Sequence, residues 1–169
     1  VEKQRLLVVV RHAKAEAFAP SDADRVLTAG GRGDGQALGA WLAAEGIAPD
    51  VAYVSYAARA RETWEAVSRG AGWGLAPQID GNLYATDEEG VLEIVRTTAE
   101  DASTVVVVGH NPTMAMLTQL LDDGDGEATD SVELGTFPTG AAAVFEVDAT
   151  WEDLAPMGCR LRAFHVGRA

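Results

Sequence analysis

The 169-residue sequence predicts an α/β fold, a three-layer α/β/α sandwich on a mostly parallel central sheet. Three observations carry this expectation. Apolar runs of strand length alternate along the chain with segments of helical period. Two of those runs, Arg5 to Val10 and Val105 to Val108, are unbroken, as in strands buried on both faces. The length suits one domain, spanning 1–169, with a sizeable core.

The elements follow in order. Arg5 to Val10 reads as a buried strand, followed by a loop containing Pro20, Ser21 and Asp22. Thr28 is an N-cap, opening a helix whose Leu38, Trp41 and Leu42 share one face and which Gly46 ends. Val51 to Val54 is a short strand, Arg59 to Val67 a helix, Gly70 to Gly74 a turn, and Ala76 to Ile79 a weak strand. Glu88 to Ala99 is helical, with Val91, Leu92 and Val95 on one face. After the strand Val105 to Val108, Asn111-Pro112 signals a helix start, Asn as cap and Pro in the first turn. That helix runs through Met114, Leu117 and Leu121. Asp122 to Asp130 is an acidic loop and Ala141 to Val147 a late strand. The tail from Trp151 is irregular, with one more strand around Leu161 to Phe164.

Composition narrows the function classes. A formal net charge of −13 argues against nucleic acid or an anionic membrane surface as partners. No apolar run reaches the length of a membrane span. Val1-Glu2-Lys3-Gln4-Arg5 leads into a strand with no leader pattern. The one cysteine, Cys159, cannot form an internal disulfide, so a reducing cytoplasm is the expected location. In so acidic a chain, an anionic substrate must find arginines gathered locally.

In open α/β sheets ligands collect beyond the carboxyl ends of the strands. The first buried strand ends in Val10-Arg11-His12, and the second in Val108-Gly109-His110-Asn111-Pro112. Two of three histidines therefore fall where a site is expected. A lone histidine there is usually a cap; two at equivalent strand ends, with Arg11 and a helix N-terminus nearby, point to an oxyanion site and to phosphate above other anions. The third, His165, lacks a partner in the sequence and reads as structural. Zinc or iron would want a third ligand at recognisable spacing, and none accompanies the pair, so neither metal nor cofactor is expected.

Arg11-His12-Ala13-Lys14-Ala15 resembles the signature of the histidine phosphatase superfamily. Leu27-Thr28, Gly31-Arg32, Gln36-Ala37 and Trp41-Leu42 resemble its first helix. The segment Ser55 to Thr63 resembles its Ser-Pro-x-x-Arg-x-x-x-Thr motif, and Val107 to Pro112 its second-histidine motif. The resemblance covers about residues 5 to 147. The short chain and Pro138-Thr139-Gly140 are most similar to the SixA branch, associated with phosphohistidine phosphatases. It implies the phosphoglycerate mutase-like fold, His12 as nucleophile, and Arg11, Arg59 and His110 as the groups that hold the phosphoryl oxygens. Lys14 and Asn111 are candidate substrate contacts.

The sequence departs from the pattern at Ala13, where glycine is usual, and at Tyr56, where proline is. Tyr84 stands where the superfamily commonly places a carboxylic acid. Asp87 and Glu88 read as the cap and start of the next helix. A missing acid hurts departure of an alkoxide most, whereas a phosphoramidate can leave as imidazole already protonated. The leading expectation is thus a phosphatase acting on a phosphorylated protein (phosphohistidine). The alternatives are a small-molecule phosphomonoesterase for a sugar phosphate or nucleotide, or a non-catalytic phosphate-binding module. Gly31-x-Gly33-x-Gly35 lacks a preceding strand, and Asp123 to Leu134 lacks the calcium-loop glycine, so neither motif is adopted.

Overall fold

The structure is a computed structural model that describes residues 4–169; the reading of Val1 to Lys3 as free of a leader pattern lies outside them. Six strands form one sheet in the order β3-β2-β4-β1-β5-β6. They span Arg5–Arg11 (β1), Val51–Ser55 (β2), Gln78–Asp80 (β3), Thr104–Gly109 (β4), Ala141–Val147 (β5) and Cys159–Val166 (β6). The strands β3, β2, β4 and β1 run parallel, while β5 and β6 complete the sheet antiparallel. The helices are α1 (Ala29–Ala44), α2 (Ala58–Ala71), α3 (Glu88–Arg96) and α4 (Thr113–Leu121).

The unbroken valine runs are buried because both faces of the sheet are covered. Side chains alternate across the sheet, so Leu7 and Val9 join one apolar layer and Val8 and Val10 the other. The first layer gathers Val91, Leu92 and Val95 of α3 with Met114, Leu117 and Leu121 of α4. The second gathers Leu38 and Leu42 of α1 with Trp64 and Val67 of α2. Three layers result, as the alternation of elements predicts.

Thr28 caps α1 as expected, its Oγ1 accepting from the Gly31 amide at 2.8 Å. Asp87 likewise caps α3 through the Gly90 amide. Several boundaries differ from expectation: β3 lies at Gln78–Asp80 and not at Ala76 to Ile79, β6 is longer at both ends than Leu161 to Phe164, and three helix ends move. The helix α2 runs through Gly70 to Ala71 and closes at Gly72, which takes φ +76°. Gly70 is a helix-packing residue there: a Cβ on it would stand 2.0 Å from the Gln36 carbonyl oxygen of α1, and one on Gly39 would stand 2.0 Å from that of Val67. The helix α3 stops at Arg96, where Thr97 turns its hydroxyl onto the Ile94 carbonyl. Pro112 occupies the cap position of α4, one residue after the expected Asn111, whose Oδ1 nevertheless accepts the Ala115 amide in the first turn. Among the described residues, no helix is long and apolar enough to cross a membrane.

Candidate active site

The strands β2, β4 and β1 are neighbours and parallel, so their carboxyl ends coincide, and Ser55, His110 and His12 meet there. Arg11 pairs with Gly109 across β1 and β4, which sets the two following histidines side by side with ring centroids 5.3 Å apart.

The backbone beneath His12 is held from several elements. The His12 amide donates to the Gly109 carbonyl at 3.0 Å, and the Gly140 amide donates to the carbonyls of Arg11 and His12. The Ala13 amide donates to Oγ1 of Thr63 at 2.9 Å, and that hydroxyl donates in turn to the Arg59 carbonyl. At Lys14, the carbonyl accepts from Thr28, and the start of α1 lies so close that a Cβ on Gly31 would meet the Lys14 oxygen at 2.2 Å. Thr63 thus joins the segment that carries the nucleophile candidate to the helix that carries Arg59.

Protonation at His12 follows from its partner. Nδ1 lies 2.8 Å from the Ala13 carbonyl, which can only accept, so Nδ1 carries the proton and Nε2 keeps its lone pair. Burial holds the imidazole neutral, its pKa lowered to about 3, with the nearby charges of Arg59 and Arg11 and the His110 ring adding to the effect. Burial also lowers His110, to about 4, with Arg59 contributing. Nε2 of His110 stands 2.8 Å from Ser55 Oγ. That hydroxyl accepts the Ala57 amide, and among the described residues its one possible acceptor is His110 Nε2; donation there puts the imidazole proton on Nδ1.

Three nitrogens of the side chains around His12 are buried without a protein partner: Nε of Arg11, Nε of Arg59 and Nδ1 of His110. Buried donors are almost always paired, so a cluster of orphans beside a free imidazole nitrogen describes a seat for an oxyanion. Among the described residues, no three His, Cys, Asp or Glu side chains gather as a metal site.

The structure brings Arg11, His12, Arg59 and His110 together. Lys14 is on the surface, its side chain exposed. Asn111 lies beside His110, but its Nδ2 donates to the carbonyls of Thr136 and Phe137, and its Oδ1 accepts from Ala115. Its amide therefore ties the start of α4 to the loop before β5, which also accepts NH1 of Arg11 at Phe137. Arg61 turns back onto the Tyr56 carbonyl. His165 stacks on Trp41, 4.5 Å between centroids, between β6 and α1.

Tyr84 reaches the site from the short 3-10 turn after β3, its ring edge-on to His110 at 5.6 Å and to Tyr56 at 5.0 Å. Its hydroxyl donates to Oδ2 of Asp22, a residue in the loop between β1 and α1 that sequence reasoning placed only as loop. NH2 of Arg59 pairs with the same Oδ2 at 3.0 Å, and NH1 donates to the Asp22 carbonyl. The hydrogen bond from Tyr84, with those from Arg25 and Arg59, pulls the Asp22 carboxyl below its ordinary range. Asp87 and Glu88 border an open cleft with Tyr84, His110 and Met116. Ser55 and Thr63 were legible as motif members, although their partners were not.

Comparison with known proteins agrees with this geometry. Residues 7–88 match the model of the histidine phosphatase superfamily (branch 1). An uncharacterized protein of Mycobacterium tuberculosis is 33% identical over 162 residues, covering 94% of this chain and 100% of that one. The solved structure of a candidate phosphohistidine phosphatase SixA from Nakamurella multipartitia superposes with a TM-score of 0.87 at 34% identity, over 99% of both chains. One from Agrobacterium tumefaciens does so at 0.79 and 26% identity, over 97% of this chain and 99% of that one. The chain belongs to the histidine phosphatase superfamily, in its SixA-type branch.

Proposed function

We propose that the chain, acting as one domain over residues 1–169, is a protein phosphohistidine phosphatase with His12 as nucleophile. The observation that carries this reading is the unprotonated Nε2 of His12 beside three buried, unpartnered donors. Nε2 attacks phosphorus while the bond from phosphorus to the substrate's imidazole nitrogen breaks. The pair leaves with that nitrogen, as neutral imidazole when the other ring nitrogen holds a proton. Water then attacks phosphorus, Nε2 recovers its pair, and inorganic phosphate departs. Arg11, Arg59 and His110 hold the equatorial oxygens and offset their charge. Asn111 acts through the loop it ties.

Proton supply at the carboxyl nearest the arginine supports this substrate class. Asp22, the carboxyl that Arg59 and Tyr84 engage, is held ionised and has no proton to give near neutral pH. A leaving group that brings its own proton, as imidazole does, is favoured over an alkoxide. The buried Cys159 thiol, pushed up to about 12 by burial, suits a reducing cytoplasm.

The test compares a phosphohistidine peptide, a sugar phosphate and a nucleotide, with the phosphoenzyme trapped and mapped. Peptide hydrolysis with label on His12, lost in His12→Ala, is expected. A marked preference for the sugar phosphate or nucleotide, or label elsewhere, would overturn the proposal.

A further inference from the structure

We infer that Asp22 is a specificity-determining residue, a fixed negative charge on the phosphate-binding arginine that discriminates against free phosphate and small dianionic phosphomonoesters. This rests on the proposed reading of the pocket and deepens it. Arg59 is buried, yet its two terminal nitrogens both face Asp22: NH2 on Oδ2 at 3.0 Å and NH1 on the main-chain oxygen at 2.8 Å. That leaves the Nε edge for a ligand, as the unpartnered Nε indicates. Any oxyanion bound there shares one guanidinium with a carboxylate already in place.

The charge is fixed rather than wandering. Oδ1 of Asp22 accepts from NH1 of Arg25 at 2.9 Å, and Oδ2 accepts from the Tyr84 hydroxyl. The loop is pinned at its base, where the Glu16 amide bonds the Val26 carbonyl, Arg25 Nε bonds the Glu16 carbonyl, and Ala15 bridges to Leu27. These partners also hold the carboxyl ionised. A phosphoryl group on a protonated histidine carries less net charge than inorganic phosphate or an alkyl phosphate dianion. It is repelled less by Asp22, and the product phosphate is repelled more.

Asp22→Asn separates charge from geometry. An asparagine oxygen still accepts from Arg59 and Tyr84, while the main-chain oxygen keeps NH1; only the bond from Arg25, which met the second carboxylate oxygen, is given up. Binding of inorganic phosphate is measured by titration calorimetry in the intact chain, with Asp22→Ser as a second variant at this half-exposed position. Removing one unit charge facing a dianion in a near-aqueous dielectric should tighten binding roughly tenfold. The ratio of phosphohistidine-peptide to sugar-phosphate kcat/KM should fall by a similar factor. Lost structure cannot produce a gain in affinity. Equal or weaker phosphate binding in both variants overturns the inference and makes Asp22 merely a support for Arg59. Phosphate binding insensitive to Arg59→Ala would instead overturn the reading of the pocket itself.

Discussion

Ser55 Oγ and His110 Nε2 lie 2.8 Å apart, joining the end of β2 to the residue that follows β4. Among the described residues the imidazole is the one acceptor in reach of that hydroxyl's hydrogen, and donation there decides which nitrogen of His110 is the donor. Ser55→Ala removes that decision and leaves Nε2 in a buried site with no partner. Turnover of a phosphohistidine peptide should fall by about 10- to 100-fold, as for loss of a group that orients a functional histidine, short of the roughly 100- to 1,000-fold of a removed oxyanion donor. Steady-state kinetics with circular dichroism checks this; unchanged turnover in a folded protein would remove Ser55 from the site.

Thr63 is a second such joint, since its hydroxyl accepts the Ala13 amide and donates to the Arg59 carbonyl inside the core. Thr63→Val keeps the shape and deletes both bonds, leaving one buried N–H without a partner. A loss of about 1–3 kcal/mol in urea denaturation is expected, with slower phosphoenzyme formation in rapid-quench experiments. A full-rate enzyme of wild-type stability would refute the coupling.

Acid should weaken the fold through the two site histidines. Their ordinary pKa is near 6.5, and burial lowers them to about 3 and about 4 in the folded chain. Between 6.5 and those values the unfolded chain binds protons that the folded chain refuses, so stability is full above 6.5 and falls on acidification. Each group contributes at most about 1.4 kcal/mol per pH unit in that window. Denaturation at pH 7.5, 5.5 and 4.5 measures the slope, and His110→Gln should reduce it. A flat profile would contradict the buried neutral state.

The same shift sets the acid limb of activity. A nucleophile with an ordinary imidazole pKa would lose half its reactive form near pH 6.5. His12 should keep kcat/KM level through pH 6 and 5 and lose it only nearer 4, once substrate ionisation is corrected for. A limb centred near 6.5 and traced to His12 would count against the geometry.

The contact between α1 and α2 offers a purely structural test. A Cβ on Gly39 would stand 2.0 Å from the Val67 carbonyl oxygen, and backbone there cannot yield without separating the helices. Gly39→Ala should cost about 1–3 kcal/mol or more by overpacking, read as a fall in Tm. Phosphate affinity of the protein that remains folded should be unchanged, since the site lies at the strand ends.

Much of this was legible in the chain. Unbroken valine runs marked the central strands, and a histidine just past each of them marked the candidate site. Neither inference needs long-range information, because strand burial and the rule of carboxyl ends are local readings. What escaped was partnership across the chain. Asp22 meets Arg59 from 37 positions away and Tyr84 from 62, and neither spacing has a period that a sequence displays. The second task of Asn111 was hidden for a similar reason: its Oδ1 meets the first turn of α4 as a cap would, while its Nδ2 answers to carbonyls at Thr136 and Phe137. Gly70, read as a turn, belongs to a helix whose neighbour leaves it no room for a side chain. Local propensity favoured the turn, and tertiary contacts overruled it.

The position of β1 between β4 and β5 also governs when the site can exist. The strand that leads into His12 is made before its two sheet partners, which lie about a hundred residues or more downstream. Until β4 and β5 have left the ribosome, His12 has neither the Gly109 carbonyl nor the Gly140 amide to fix it, and His110 has only just been made. Such non-local pairing makes for slow, late assembly. A nascent chain halted before β5 would carry every motif and still lack the formed pocket, so reactivity at His12 arises only once β5 has joined the sheet.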